Sequence, residues 1–351
     1  IMFWENRCRF LPEVSPNFVP LTPMMTIPEI IEALEYFSPN FPRQALEAAS
    51  EQKAELAPVL LARLEALKGK FCDLDDGDYL YMYAFFLLAE FRETRAYPLI
   101  VDLMIEAGES AETLFGDFIT EGLSNVLASV YDGDLTPLQR LIDTAADQYV
   151  RGAAIEALTI LYVNGKLSRA EVLTHLEKIG RNCLEAGDDL DDDLSEVRDY
   201  IAGCVVYAYL DIHGTELSGL IDELFDADFI EEMLGSHEYI KQEFAQQTVE
   251  SALASLRDDK KHDLIESTIK SMEWWYCFQS EEEKQKEREK YADFLQELMR
   301  ERAIAKKQDI PHFSSPSPLG NEGKGKTNSQ KKAKQKQQKL SRKKNRQKKK
   351  R

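Results

Sequence analysis

The stretch DQYVRGAAIEAL, residues 147–158, decides how this chain is read. It has the form D-x-x-V-R-x-x-A-x-x-A-L, with the apolar and small residues three and four apart, as on one face of a helix. Small alanines make up part of that face. Working outward, four segments line up with one another: 85–104, 123–142, 154–176 and 204–224. Each ends one apolar helix, crosses a short polar turn (RETRA, DGDLT, NGKLS, HGTEL) and starts an amphipathic helix. In these turns Asn, Asp and Gly offer positive φ, and Thr or Ser offers a cap. Units of two helices recurring every roughly 33 to 49 residues mark a stacked array of helical hairpins, in which no hairpin can bury its apolar face alone.

The pattern at 147–158 is the one HEAT repeats carry on an inner helix. The expected fold is therefore all-α, a HEAT-like α-solenoid followed by a charged helix and a basic tail. Residues 1–25 read as a flexible Pro-rich extension, 26–280 as the repeat domain, 281–308 as an amphipathic helix, and 309–351 as a disordered linker and tail. Thr26 and Glu29 have capping-box spacing, and so do Ser280 and Glu283. Pro58 is expected to open a helix. In the helix after Ser280, the stripe of Tyr291, Phe294, Leu295, Leu298 and Met299 is expected to dock back on the array, the alternative being another helix.

Charge separates the chain in two. Fifteen of the 44 basic residues and one of the 62 acidic ones fall in 311–351, so that region carries +14 and residues 1–310 carry −32. The body should repel nucleic acid and anionic membranes, and the tail should attract both. The bases of the final run are Lys331, Lys332, Lys334, Lys336, Lys339, Arg342, Lys343, Lys344, Arg346, Lys348, Lys349, Lys350 and Arg351. These are the candidate anion-binding or nucleic-acid-binding residues. With no aromatic among them, any such contact would be to phosphates and blind to sequence. The same run has a second outlet in the acidic body itself.

Recognisable catalytic chemistry is missing from the sequence. Its histidines (His175, His213, His237, His262, His312) never recur at helical spacing, and no nucleophile-elbow or phosphate-loop motif stands in the right context. The acidic runs 73–79 and 185–196 fail the calcium-loop pattern, because the Gly and the closing Glu are misplaced. They read as loops whose Asp residues cap the next helix. Five scattered cysteines without a C-x-x-C pair read as reduced, mostly buried thiols of a cytoplasmic protein. No apolar run is long enough for a transmembrane helix. No cofactor or metal is expected. The densest aromatic patch, MEWWYCF at 272–278, reads as the terminal cap of the array, or as a partner site through Trp274 and Trp275.

The runs YFSPNFPRQALEAASEQKAELAPVLLARLEAL and YLYMYAFFLLAEFRETRAYPLIVDLM resemble the bacterial family catalogued as domain of unknown function 1186, over about residues 26–280. That resemblance implies a helical, HEAT-like fold and carries no functional residue. Some members end in a Cys-rich zinc motif; residues 318–340 keep its Gly, Asn and Lys character but hold no cysteine, so zinc cannot be bound there in that way. The expected function is a non-enzymatic scaffold that binds a protein partner through its acidic body and uses the tail as an electrostatic tether. The alternative is an RNA- or ribosome-associated accessory protein that grips phosphates through the tail.

Overall fold

Apolar residues on every side of a helix require cover on every side, and the buried run 80–89 poses that demand most sharply. The computed structural model describes residues 25–308 except 71–73, 75–76, 188–189 and 231–235, with side chains other than those of 192, 298 and 301–308. The described chain is helical: α1 (Ile27–Glu35), α2 (Arg43–Glu51), α3 (Lys53–Leu67), α4 (Leu80–Glu90), α5 (Ala96–Ala107), α6 (Ala111–Phe115), α7 (Phe118–Glu121), α8 (Leu123–Ser129) and α9 (Thr136–Thr144). There follow α10 (Gln148–Val163), α11 (Arg169–Ala186), α12 (Asp192–Asp211), α13 (Ser218–Asp226), α14 (His237–Ala245), α15 (Val249–Asp258), α16 (Thr268–Met272) and α17 (Glu281–Gln308). Among the described residues there is no strand, only an isolated antiparallel bridge between Tyr36 and Asp78.

The four aligned segments are four hairpins, α4–α5, α8–α9, α10–α11 and α12–α13. The first helices stack as one layer, α4 on α8, α8 on α10, and α10 on α12. In the second layer α5 packs on α9 and α11 on α13. This is an all-α helical-repeat fold. Asp147 caps α10 by accepting the N–H groups of Tyr149 at 2.8 Å and Val150 at 3.0 Å. Gly152, one turn in, is where α12 comes closest: a Cβ there would lie 2.8 Å from the Tyr200 ring and 3.2 Å from the Cys204 sulfur. Both capping boxes form, Glu29 accepting from Thr26 and Glu283 from Ser280.

Three local expectations change. Pro58 sits inside α3, because the break between helices falls at Gln52, whose N–H closes α2 on Ala48 and Ala49. Positive φ in the turns comes from Gly133 and Gly165 as expected, but also from Arg92 and His213, where Gly214 keeps negative φ. Of the α17 stripe, Tyr291, Phe294 and Met299 do not dock on the array: they are 40, 43 and 69 % exposed, Leu295 is half-buried, and the Leu298 side chain lies outside those described. Only the first two turns of α17 are tied to the preceding chain among the described contacts, through Lys284 over the Tyr276 ring, Glu287 to Gln279, and Arg288 to the Tyr276 hydroxyl.

The acidic loop before α12 is held from inside. Asp191 caps α12 by accepting from Leu194 at 2.9 Å. Arg198, 5 % exposed, donates to Asp199 at 2.7 and 3.0 Å and to the Gly187 carbonyl, with its guanidinium 3.8 Å over the Phe229 ring.

Candidate binding surface

All ten residues Leu80–Ala89 of α4 are buried, and so are most residues of α10. One flank of each is covered by the second helices. The other flank is covered by the chain itself, which turns back after α14 and crosses the first-helix layer from its C-terminal hairpin to its N-terminal end. In this strap α15 lies on α12 and α10, a short 3-10 turn at Lys260–His262 lies on α10, and α16 lies on α4 and α2. The strap ends where Trp275 meets Phe86 at 5.5 Å between ring centroids and Phe278 meets Phe41 at 5.0 Å. Arg43 of α2 pairs with Glu273.

Between α15 and α16 the strap has no helix of its own to satisfy its peptide groups, and the array supplies partners instead. Asn125 donates through Nδ2 to the carbonyls of Lys261 at 2.7 Å and Asp263 at 2.9 Å. Asn164 donates through Nδ2 to the carbonyl of His262 at 2.9 Å. Ser129 Oγ accepts the N–H of Ile265 at 2.8 Å, and Arg92 reaches the Ile265 carbonyl. Glu90 accepts the N–H of Thr268 at 2.6 Å through one oxygen and the Ser50 hydroxyl at 2.7 Å through the other. Five side chains from three successive hairpins thus grip the main chain of one segment. Contacts of this kind are nearly indifferent to the side chains they hold.

Side chains add selectivity at a few points. Ile265 is buried between the Ser129 and Arg92 contacts, and the His262 ring is 1 % exposed. Beneath the 3-10 turn lie two half-buried carboxyls, Glu156 and Asp211. Burial pushes Glu156 up, with Lys261 and the Ser124 hydroxyl pulling it down and Asp259 adding to the rise. Burial likewise lifts Asp211 to about 6, against the charge of Lys261 and with help from Glu156 and Asp259. The charge of Lys261 on the strap favours the ionised form of both carboxyls.

A carboxyl whose folded pKa is raised contributes fully only while protonated, below about pH 4, and that contribution is lost as pH rises through about 6. Asp211→Asn is expected to stabilise the chain by roughly 2–3 kcal/mol at pH 8 and by almost nothing at pH 4. Urea denaturation at the two pH values measures this, and an equal effect at both would contradict it. His262 works in the opposite direction. Burial and Lys261 hold its ring below the ordinary 6.5, so its contribution is present above that pH and fades on acidification.

Of the residues singled out from sequence, Trp275 is half-buried against Phe86, whereas Trp274 is 52 % exposed. The aromatic patch thus packs at the N-terminal end of the array, Trp275 on Phe86 and Phe278 on Phe41. The distance along the chain between Phe86 and Trp275 hid this from the sequence. Lys331 to Arg351 lie outside the described residues. Asn125, Asn164, Ser129, Glu90 and Arg92 were not anticipated; the one faint signal is Asn125, an indifferent helix former inside the apolar run LSNVLAS. Among the described residues no three His, Cys, Asp or Glu side chains come together as a metal site. Burial pushes the Cys204 and Cys183 thiols up to about 12, away from nucleophilic use. No helix among the described residues is long and apolar enough to cross a membrane.

The family model described as "Protein of unknown function (DUF1186)" matches residues 25–279. The chain belongs to that family. An uncharacterized protein of Chlamydia muridarum (strain MoPn / Nigg) is 33 % identical over 254 residues, 72 % of this chain and 97 % of the relative. A second, from Chlamydia trachomatis serovar D, is 33 % identical over the same length, 96 % of that relative. No solved structure matches the chain. The DUF1186 match runs to the last residues of the strap and stops one residue before the capping box of α17. Array and strap are thus the DUF1186 unit, and α17 with the tail is joined to its end.

Proposed function

We propose that this chain is a non-enzymatic interaction scaffold. Its first-helix layer binds an extended, lysine-bearing segment of a protein partner along the track its own residues 259–278 occupy, and its basic tail acts as an electrostatic tether. The observation that carries this reading is the set of main-chain contacts made by Asn125, Asn164, Ser129, Glu90 and Arg92 to residues 261–268. A surface that holds peptide groups accepts another chain of similar shape. The acids Glu156 and Asp211 favour a lysine, and Phe86 favours an aromatic. The strap lowers apparent affinity by the fraction of time the track is open, so a partner competes with it.

The test is a fluorescent peptide with the sequence of residues 258–278, titrated with the full chain. A full chain carrying Trp275→Ala, whose own strap is weakened, is expected to bind the peptide at least tenfold more tightly than the unaltered chain. If Trp275→Ala keeps its helical circular dichroism and still binds no peptide, the reading is wrong.

The second reading, RNA association, draws on the +14 of residues 311–351. It is tested by gel shift of single-stranded RNA with and without residues 324–351, from roughly 50 to 500 mM salt. A shift that needs the tail and fades with salt supports a phosphate-binding arm. Absence of any shift at low salt ends that reading.

A further inference from the structure

The helix α17 lies outside the DUF1186 match and presents Tyr291, Phe294 and Met299 to solvent, with its described ties to the body confined to its first two turns. An apolar stripe on a 28-residue helix needs a partner, and the charges on the same helix indicate which. Its first turn is Glu281, Glu282 and Glu283, and its last turns carry Arg and Lys. The midpoint of α17 falls between Phe294 and Leu295, the centre of the apolar stripe. Rotated end over end about that point, the sequence sets Phe294 against Leu295 and Tyr291 against Leu298 of a second copy. On or beside that face Glu283 then comes level with Lys306 and Glu287 with Arg302. Wherever this register opposes two charged residues, their signs are opposite. A parallel pair would instead oppose like charges at every one of these positions.

We propose that α17 pairs antiparallel with α17 of a second copy of this chain, making a two-fold dimer centred on Phe294 and Leu295. The residues flanking the apolar centre set direction and register, as charges beside the seam of a coiled coil do. A two-fold contact of this kind is self-complementary and closes on itself. A 28-residue helix is about 42 Å long, so the two basic tails would leave the pair at opposite ends. The proposal is independent of the strap, because it uses no residue of the track.

Sedimentation equilibrium of the full chain tests it. The expected result is a mass rising with concentration toward twice that of the chain, with dissociation strengthened by salt because opposite charges are screened. Phe294→Glu should weaken the dimer at least tenfold, and its exposure means the body stays folded. Two charge-reversed chains give the decisive comparison. One carries Glu283→Lys and Glu287→Lys; the other carries Arg302→Glu and Lys306→Glu. Each alone should be monomeric, and an equimolar mixture should recover the dimer. An unaltered chain that stays monomeric, a dimer indifferent to Phe294→Glu, or a mixture that stays monomeric would overturn the proposal.

Discussion

Phe86→Ala is expected to lower the unfolding free energy by about 4 kcal/mol, within the usual range for deleting a buried phenyl ring. Phe86 is 1 % exposed and stands between three separate parts of the chain. Its ring meets Phe118 and Trp275 edge-on, each at 5.5 Å, and it comes so close to Gly122 that a Cβ there would lie 2.8 Å from it. The cavity would open between the first-helix layer and the strap, so the damage should not be confined to α4. The Trp275 end of the strap should loosen as well, which an increase in amide exchange over residues 272–278 would report. Phe86→Leu refills most of the space and should cost much less. Guanidinium denaturation of the three chains measures the series, and a loss below about 1 kcal/mol for Phe86→Ala would show that the site does not form as described.

Arg198→Met is the second large effect, about 3–5 kcal/mol by denaturation, because it takes the guanidinium away from the buried Asp199 carboxylate. It also removes the donor to the Gly187 carbonyl and the cover over Phe229. These contacts join the end of α11, the start of α12 and the chain after α13, so the whole C-terminal hairpin depends on them. Arg198→Met combined with Asp199→Leu removes both charges and should recover more than half of the loss. Little recovery would mean that the packing of Arg198 outweighs its charge.

The hairpin layers were legible in the sequence because their cause is local. Asp147 capping α10, the alanines and Gly152 on its face, and the boxes at Thr26 and Ser280 are all set by residues within one turn of each other. The run LYMYAFFLLA also announced a helix that must be covered on every side. What it could not announce was the cover. The strap reaches α4 from nearly two hundred residues away, and its grip is through peptide groups, which leave no mark in the sequence. Single residues such as Asn125 and Glu90 look like ordinary polar positions until the segment they hold lies beside them. The α17 stripe failed for the opposite reason. Its amphipathic pattern was read as a face that docks on the array, yet periodicity does not say what a face packs against.

If residues 259–278 occupy a track that a partner segment can share, their amides should answer to that segment. Hydrogen–deuterium exchange of the full chain, with and without a saturating peptide of the strap sequence, tests this directly. The account predicts that the amides of Ile265 and Thr268 are protected in the chain alone and exchange markedly faster when the peptide is bound, while amides of α10 are unchanged. Strap amides that exchange only with global unfolding, at the same rate with or without the peptide, would make the strap a permanent part of the core and contradict the scaffold reading.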